Sequence, residues 1–201
     1  MPAAEPCRLY LITPATIEPA GFAASLDSVL DAGDIACLRL ECDGDDDTIK
    51  RTADALVPVC RAHDVALLLT DRPHLVAPTG ADGVHMTQAL DGVRDELPAD
   101  TILGAGCGLS RHDALVAGDL ESDYVSFGPA GSDARDIIRW WNQMVVLPSV
   151  AEGVATLQDA AAMAEAGADF LALSEAVWDH PDGPAAAVTA FDTAIAKYRD
   201  H

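Results

Sequence analysis

Positive charge is scarce in this chain. Of its 201 residues, 12 are Lys or Arg and 33 are Asp or Glu, giving a formal net charge of −21. Lys50 and Lys197 are the only lysines. Such a surface repels nucleic-acid phosphates and anionic membranes. General nucleic-acid binding is therefore excluded, and a small anionic ligand needs a site that locally reverses the field. Long apolar runs are also missing. None approaches the roughly 18–20 residues of a membrane span, which excludes an integral helical membrane protein. The five cysteines, Cys7, Cys37, Cys42, Cys60 and Cys107, are odd in number and form no CxxC pair. Neither a disulfide framework nor a structural zinc site is expected. None of the cysteines is read as an activated thiolate, and all five are expected in core or structural positions. The opening MPAAEPCRLYLITP lacks a basic segment followed by a long apolar one, and the expectation is a reduced, cytoplasmic protein.

What the chain does contain is core-forming material. Half the residues are hydrophobic, enough for a full core without staples. Short apolar runs alternate with longer amphipathic ones. The short runs are Arg8–Ile12, Ile35–Leu40, Val65–Leu69, Gly83–His85, Thr101–Gly104, Tyr124–Phe127, Met144–Pro148 and Phe170–Leu173. Several are nearly continuous hydrophobics, as parallel strands buried on both faces require. The helical stretches between them are Pro19–Ala32, Asp46–His63, Pro73–Thr79, Ala89–Leu97, Arg111–Gly118, Arg135–Asn142, Thr156–Ala166 and Pro184–Arg199. Asp45–Asp47 place acids where a helix N-terminus favours them.

Eight strand–helix units with no linker predict an α/β protein, a single-domain (β/α)8 TIM barrel over residues 1–201. The phrases GADGV, ESDYV and AGADF each open a strand with Asp, a weak internal repeat. The rival is an open doubly wound sheet. It calls for a glycine-rich turn after the first strand, and LYLITPAT has no GxGxxG.

In a barrel, function gathers at the carboxyl ends of the strands. Asp71 directly follows the third apolar run and offers a hard oxygen ligand for Mg²⁺, or else a cap for the next short helix. His85 ends the fourth and Gln88 lies three residues on; the histidine is either a substrate-binding group or a rim histidine with its bonds satisfied. Arg39, inside ACLRLEC, is costly to bury unpaired. It either grips a phosphate or carboxylate in a forked geometry or pairs internally with Glu41 or Asp71. Gly128, Gly131 and Gly153, with Ser174, Glu175 and Ala176 opening a last short helix, make a glycine-turn and helix-terminus phosphate site, unless they are ordinary tight turns.

Together these segments resemble the thiamine phosphate synthase family, including its tautomerase branch. The phrases that carry the resemblance are LYLITP, LRLE, LLLTDRPHLVAPTGADGVHMTQ, ILGAGCGLSRHDAL, DYVSFGP and AGADFLALSEAV, in order from about Arg8 to Val177. The resemblance implies the same barrel. It also implies a transferase of thiamine biosynthesis that joins a hydroxymethylpyrimidine diphosphate to a hydroxyethylthiazole phosphate with Mg²⁺ and releases pyrophosphate. By position, Arg39 matches the arginine that meets the diphosphate, Asp71 a magnesium ligand, and His85 and Gln88 the GVHxxQ block. Gly153, Ser174 and Glu175 fall in the thiazole-phosphate loops. The partners implied are these small phosphorylated substrates, with no nucleic acid and no membrane; a homo-oligomer is left open.

The sequence departs from the family pattern in several places. The family phrase QLREK reads CLRLE, so Glu41 stands where a lysine is expected and Cys37 where a glutamine is. Thr70 replaces the asparagine before Asp71, and Leu90 replaces a second metal aspartate, with Asp91 one residue away. A threonine-rich loop ending in lysine becomes AGSDARDIIR, where Arg135 or Arg139 is a candidate substitute. The strand-five histidine of the tautomerase branch is absent from GCGLS, and GGI becomes EGV. Two readings follow: a synthase whose magnesium binding is weak or depends on substrate, or a member that binds a phosphorylated ligand, regulates, or tautomerises without synthase turnover. For an isomerase or tautomerase, His85 and Glu152 are the acid–base candidates.

Overall fold

The computed structural model describes residues 7–88 and 90–198. Eight strands, β1 (Arg8–Ile12), β2 (Ile35–Leu40), β3 (Ala66–Thr70), β4 (Gly83–Met86), β5 (Ile102–Gly106), β6 (Tyr124–Phe127), β7 (Ser149–Ala151) and β8 (Phe170–Leu173), are joined by helices. They hydrogen-bond in sequence order into one closed parallel barrel, β8 closing on β1 through pairs such as Leu11 with Leu173. This is the predicted (β/α)8 barrel, and it leaves no open edge. The helices are α1 (Pro19–Leu30), α2 (Asp46–Ala62), α3 (Val76–Thr79, after a 3₁₀ turn at Pro73–Leu75), α4 (Val93–Glu96), α5 (Arg111–Asp119), α6 (Ser132–Met144), α7 (Leu157–Ala166), α8 (Glu175–Trp178) and α9 (Pro184–Ile195). No helix among the described residues is long and apolar enough to cross a membrane.

Local chemistry explains the boundaries. Asp45 caps α2 by accepting the Thr48 N–H at 2.9 Å, and Asp46 and Asp47 follow in the first turn, where the helix dipole favours them. Asp34, Asp82, Asp123 and Asp169 immediately precede β2, β4, β6 and β8, and each carboxylate reaches back to the preceding strand. Asp82 accepts the Leu67 N–H at 2.8 Å, Asp123 that of Leu103 at 2.8 Å, and Asp169 that of Ser149 at 2.7 Å. Asp34 accepts from the Arg8 guanidinium at 2.8 Å. The strand-opening Asp seen in the sequence is thus a hydrogen-bonding device that satisfies the exposed start of its neighbour.

Strand alternation divides the core. Outward residues such as Leu9, Leu11, Leu38, Leu67 and Leu69 pack under the helices. Inward residues Tyr10, Ile12, Cys37, Leu68, Tyr124, Val150 and Ala172 form a second cluster inside the barrel. Gly104 on β5 is dictated by Tyr124, because a Cβ there would overlap the phenol end of the ring.

The structure corrects three boundaries. The seventh strand is Ser149–Ala151, not Met144–Pro148. Met144 ends α6, Val146 is fully exposed, and the Leu147 carbonyl accepts the Trp141 indole N–H at 2.7 Å. Pro148 has no N–H for a ladder, but its carbonyl accepts from Val125 and so starts the pairing. Of the helix expected over Ala89–Leu97, only Val93–Glu96 forms; Ala89 itself lies outside the described residues, as does Arg199. The sixth helix starts at Ser132, earlier than Arg135.

Candidate active site

The carboxyl ends of the strands carry a polar layer above the apolar interior. Arg39 from β2, Thr70 from β3, His85 from β4, Ser126 from β6 and Glu152, just after β7, are its members. Arg39 is 4% exposed. One terminal nitrogen donates to Glu152 Oε1 at 2.6 Å and the other to Glu41 Oε2 at 2.7 Å. Its Nε has no partner, and neither does the buried Thr70 hydroxyl. Burial alone would lower the Arg39 pKa, but Tyr10, Glu152 and Glu41 outweigh it and the net shift is upward. Of the internal pairings foreseen for Arg39, the one with Glu41 forms; Asp71 is replaced by Glu152.

Below Arg39 runs a line of hydrogen bonds. Tyr10 and Tyr124 hydroxyls lie 2.9 Å apart, and the Tyr124 hydroxyl lies 2.9 Å from His85 Nδ1. His85 Nε2 is 3.5 Å from Glu152 Oε1. Burial, with help from Arg39 and against Glu152, lowers the His85 pKa from 6.5 to about 4, so the ring is neutral near pH 7. Burial pushes the Glu152 carboxyl up, but Arg39, His85 and the Ser126 hydroxyl bring it below the usual carboxylate value. An ionised carboxylate only accepts. The proton of neutral His85 therefore sits on Nε2 facing Glu152, and Nδ1 accepts from Tyr124, which accepts from Tyr10. Burial holds both phenols well above their ordinary pKa.

Asp71 sits at φ 51° after β3. It does not cap the next short helix. Its carboxylate accepts the Thr87 N–H at 2.8 Å and the Thr87 hydroxyl at 2.5 Å. With Glu41, Asp43, Thr70 and Arg72 it lines a 200 Å³ cavity at this end of the barrel. Larger hollows of 310 and 660 Å³ lie at the opposite end, around Tyr10, Ile102 and Phe170 and around Asp64 and Asp100. Gln88 stands exposed in the turn after β4, Leu90 packs on the core, and Asp91 faces solvent. Among the described residues no group of three or more His, Cys, Asp or Glu forms a metal cage.

The glycine loops pack on one another. Gly128 lies against Glu152, and the Ala130 N–H donates to the Glu152 carbonyl at 2.7 Å. Gly153 has φ 72°, and a Cβ there would come within 3.2 Å of Pro129. Ser174 stands at the N-terminus of α8 with Glu175 and Ala176 following, and its side chain makes no cap. Arg139 lies seven residues into α6, about 10 Å from its start, and pairs with Asp136 at 3.7 Å. Cys7, Cys37, Cys60 and Cys107 are buried and Cys42 is half-buried.

Tyr10, Tyr124 and Ser126 were not singled out from sequence. The available signal was their inward register on strands 1 and 6, since a phenol facing a barrel interior must find a partner.

A closed parallel barrel with its polar side chains gathered at the carboxyl ends defines a (β/α)8-barrel protein with its candidate active site at that mouth. Residues 9–177 match the family model described as thiamine monophosphate synthase, and the chain belongs to that family. It is 45% identical to the thiamine-phosphate synthase of Rhodospirillum centenum over 92% of this chain and 96% of that protein. It is 39% identical to that of Hyphomonas neptunium over 92% of each. Among solved structures it is similar to a thiamine phosphate pyrophosphorylase from Pyrococcus furiosus, with TM-score 0.81, 23% identity and coverage of 95% of this chain and 96% of that one.

Proposed function

We propose that the chain is a thiamine-phosphate synthase, a transferase that joins hydroxymethylpyrimidine diphosphate to hydroxyethylthiazole phosphate and releases pyrophosphate. The observation that carries this reading is the 45% identity to a thiamine-phosphate synthase across nearly the full length of both proteins. The bond from the pyrimidine methylene carbon to the diphosphate oxygen breaks, and a bond from that carbon to the thiazole nitrogen forms. No electrons are gained or lost overall. Such a reaction asks the protein to position two substrates and to balance charge.

In this reading Arg39, His85 and Gln88 serve the pyrimidine side. Gly153, Ser174, Glu175 and Ala176 receive the thiazole phosphate through backbone N–H groups, and Gly128, whose own N–H donates to the Gly108 carbonyl, shapes the loop beside them. Asp71 fits Mg²⁺ as a single carboxylate at the rim, its orientation fixed by Thr87. Mg²⁺ commonly takes one or two carboxylates together with substrate phosphates, so an ion shared with the diphosphate suits this donor set better than an all-protein cage. When bound, the ion would neutralise the leaving group. The protein works on small molecules in the cytoplasm.

A second reading, a family member that binds a phosphorylated ligand without turnover, draws on one observation: Arg39 is already held by Glu41 and Glu152. One assay separates the two. With both substrates and Mg²⁺, a synthase releases pyrophosphate, and Asp71→Asn lowers the rate at limiting Mg²⁺. Binding of thiazole phosphate without pyrophosphate release favours the second reading.

A further inference from the structure

We infer that Arg72 is a substrate-binding residue of the mouth: its guanidinium receives the diphosphate of the pyrimidine substrate, a task that Arg39 is not free to perform alone. This rests on the proposed synthase reading in supposing that a diphosphate enters here. Arg39 has one terminal nitrogen on Glu152 and the other on Glu41, and it is 4% exposed. A phosphate approaching it meets two carboxylates already seated on those nitrogens. The other cations considered from sequence, Arg135 and Arg139, belong to α6, which follows β6. In a ring of strands paired in sequence order, β6 lies across the mouth from β2.

Arg72 is well placed and available. It directly follows Asp71, and among the described residues it is the one cation lining the 200 Å³ cavity at the ends of β2 and β3. Its side chain is 36% exposed, and its Nε lies 3.5 Å from Asp46 Oδ1, while His74 holds the other Asp46 oxygen at 2.8 Å. Among the described residues its hydrogen bond runs from one terminal nitrogen to the Asp71 carbonyl at 3.2 Å, which leaves the other terminal nitrogen open to a ligand. Exposed ion pairs of this kind contribute little, and a guanidinium exchanges them readily for a phosphate that it can fork. Three carboxylates share the cavity wall. Glu41 is already bound to Arg39, Asp71 is oriented by Thr87 and is the one carboxylate that fits Mg²⁺, and Asp43 faces solvent. An anion in this cavity needs a cation beside it, and Arg72 supplies one a single residue from the carboxylate that would share the ion.

The test is calorimetric titration of inorganic pyrophosphate, with Mg²⁺ present, into wild type, Arg72→Ala, Arg72→Lys and Asp46→Asn, with hydroxyethylthiazole phosphate as the control ligand and melting temperatures recorded beside each. Arg72→Ala should bind pyrophosphate about tenfold or more weakly, the scale of one charge-assisted contact, and should keep its affinity for the thiazole phosphate. Arg72→Lys should fall between, since it keeps the charge and loses the fork. Asp46→Asn should hold or raise pyrophosphate affinity, because it frees Arg72. Should Arg72→Ala not fold, Arg72→Gln takes its place. A wild type that binds no pyrophosphate, a folded Arg72→Ala that keeps wild-type affinity, or a matching loss of thiazole phosphate binding overturns the inference. An equal fall in Arg72→Ala and Asp46→Asn overturns it too, since Arg72 would then be only a strut between its loop and α2. Pyrophosphate release by the wild type is scored separately. Turnover with full pyrophosphate affinity in Arg72→Ala removes this inference alone; Arg72-dependent binding without turnover removes only the synthase reading.

Discussion

The hydroxyl of Tyr124 is the joint of the interior hydrogen-bond line, and removing it should cost more than removing its neighbour's. Tyr124→Phe takes one oxygen from between Tyr10, 2.9 Å away, and His85 Nδ1, also 2.9 Å away. Both groups are buried, at 3% and 1% exposure, so water cannot readily replace the lost partner. A buried polar group left unsatisfied costs about 1–3 kcal/mol. Two are orphaned here, but the Tyr10 hydroxyl keeps some freedom to turn, so a total of about 2–3 kcal/mol is expected. For a chain of this length each kcal/mol moves the melting temperature by about 2–4 °C. Tyr124→Phe should therefore melt about 4–12 °C below wild type. Tyr10→Phe removes a donor that Tyr124 does not need for its bond to His85, and should cost about 1 kcal/mol. In the double variant the Tyr10 penalty has already vanished, so the two changes should be sub-additive by about 1 kcal/mol. Urea unfolding of the four proteins measures this cycle. Strict additivity, or equal costs for the two single variants, would refute the directed line from Tyr10 to His85.

The pH dependence has a defined sign. His85 titrates near 4 when folded and near 6.5 when free, so the unfolded chain takes up its proton first. The stability this provides is complete above pH 6.5 and drains away as pH falls to about 4, by up to about 3 kcal/mol. Melting temperatures across this window should fall steeply for wild type and less so for His85→Gln; parallel curves would contradict the buried neutral ring. Gly104→Ala should destabilise by about 1–3 kcal/mol, because the new methyl must displace Tyr124. Near-wild-type unfolding in that variant would show that Tyr124 does not lie across β5.

Much of the fold was legible because buried parallel strands are nearly uniform apolar runs. RLYLI, IACLRL, YVSF and FLAL appear in the structure with the boundaries expected of them. The seventh strand was not legible. MVVLP is more apolar than SVA, yet its Met144 ends α6 and the rest is a connection tied by the Trp141 indole, a contact that composition does not encode. The placement of the candidate residues was legible. Arg39, Asp71 and His85 all reach the expected end of the barrel, while Gln88 remains on the rim. Partnership was harder to read: Glu152 reaches Arg39 across 113 residues of sequence, and only barrel closure brings β2 and β7 to face each other across the interior.

The aspartates that precede β2, β4, β6 and β8 give the barrel a construction coarser than its eight strands. Each ties an even-numbered strand to the odd one before it, so the wall is made of four clamped quarters, each a pair of strand–helix units. Among the described residues, Cys7, Val65, Thr101 and Pro148 stand in the equivalent place before the odd strands, and none can supply a carboxylate across the seams. At the strand starts the seams between quarters rest on the backbone ladder, while polar links from helices and loops, such as Arg94 to Asp123 and the Trp178 indole to the Ile12 carbonyl, cross them elsewhere. Opening of the ring should begin there, and a circular permutation placed at a seam would leave every clamp intact.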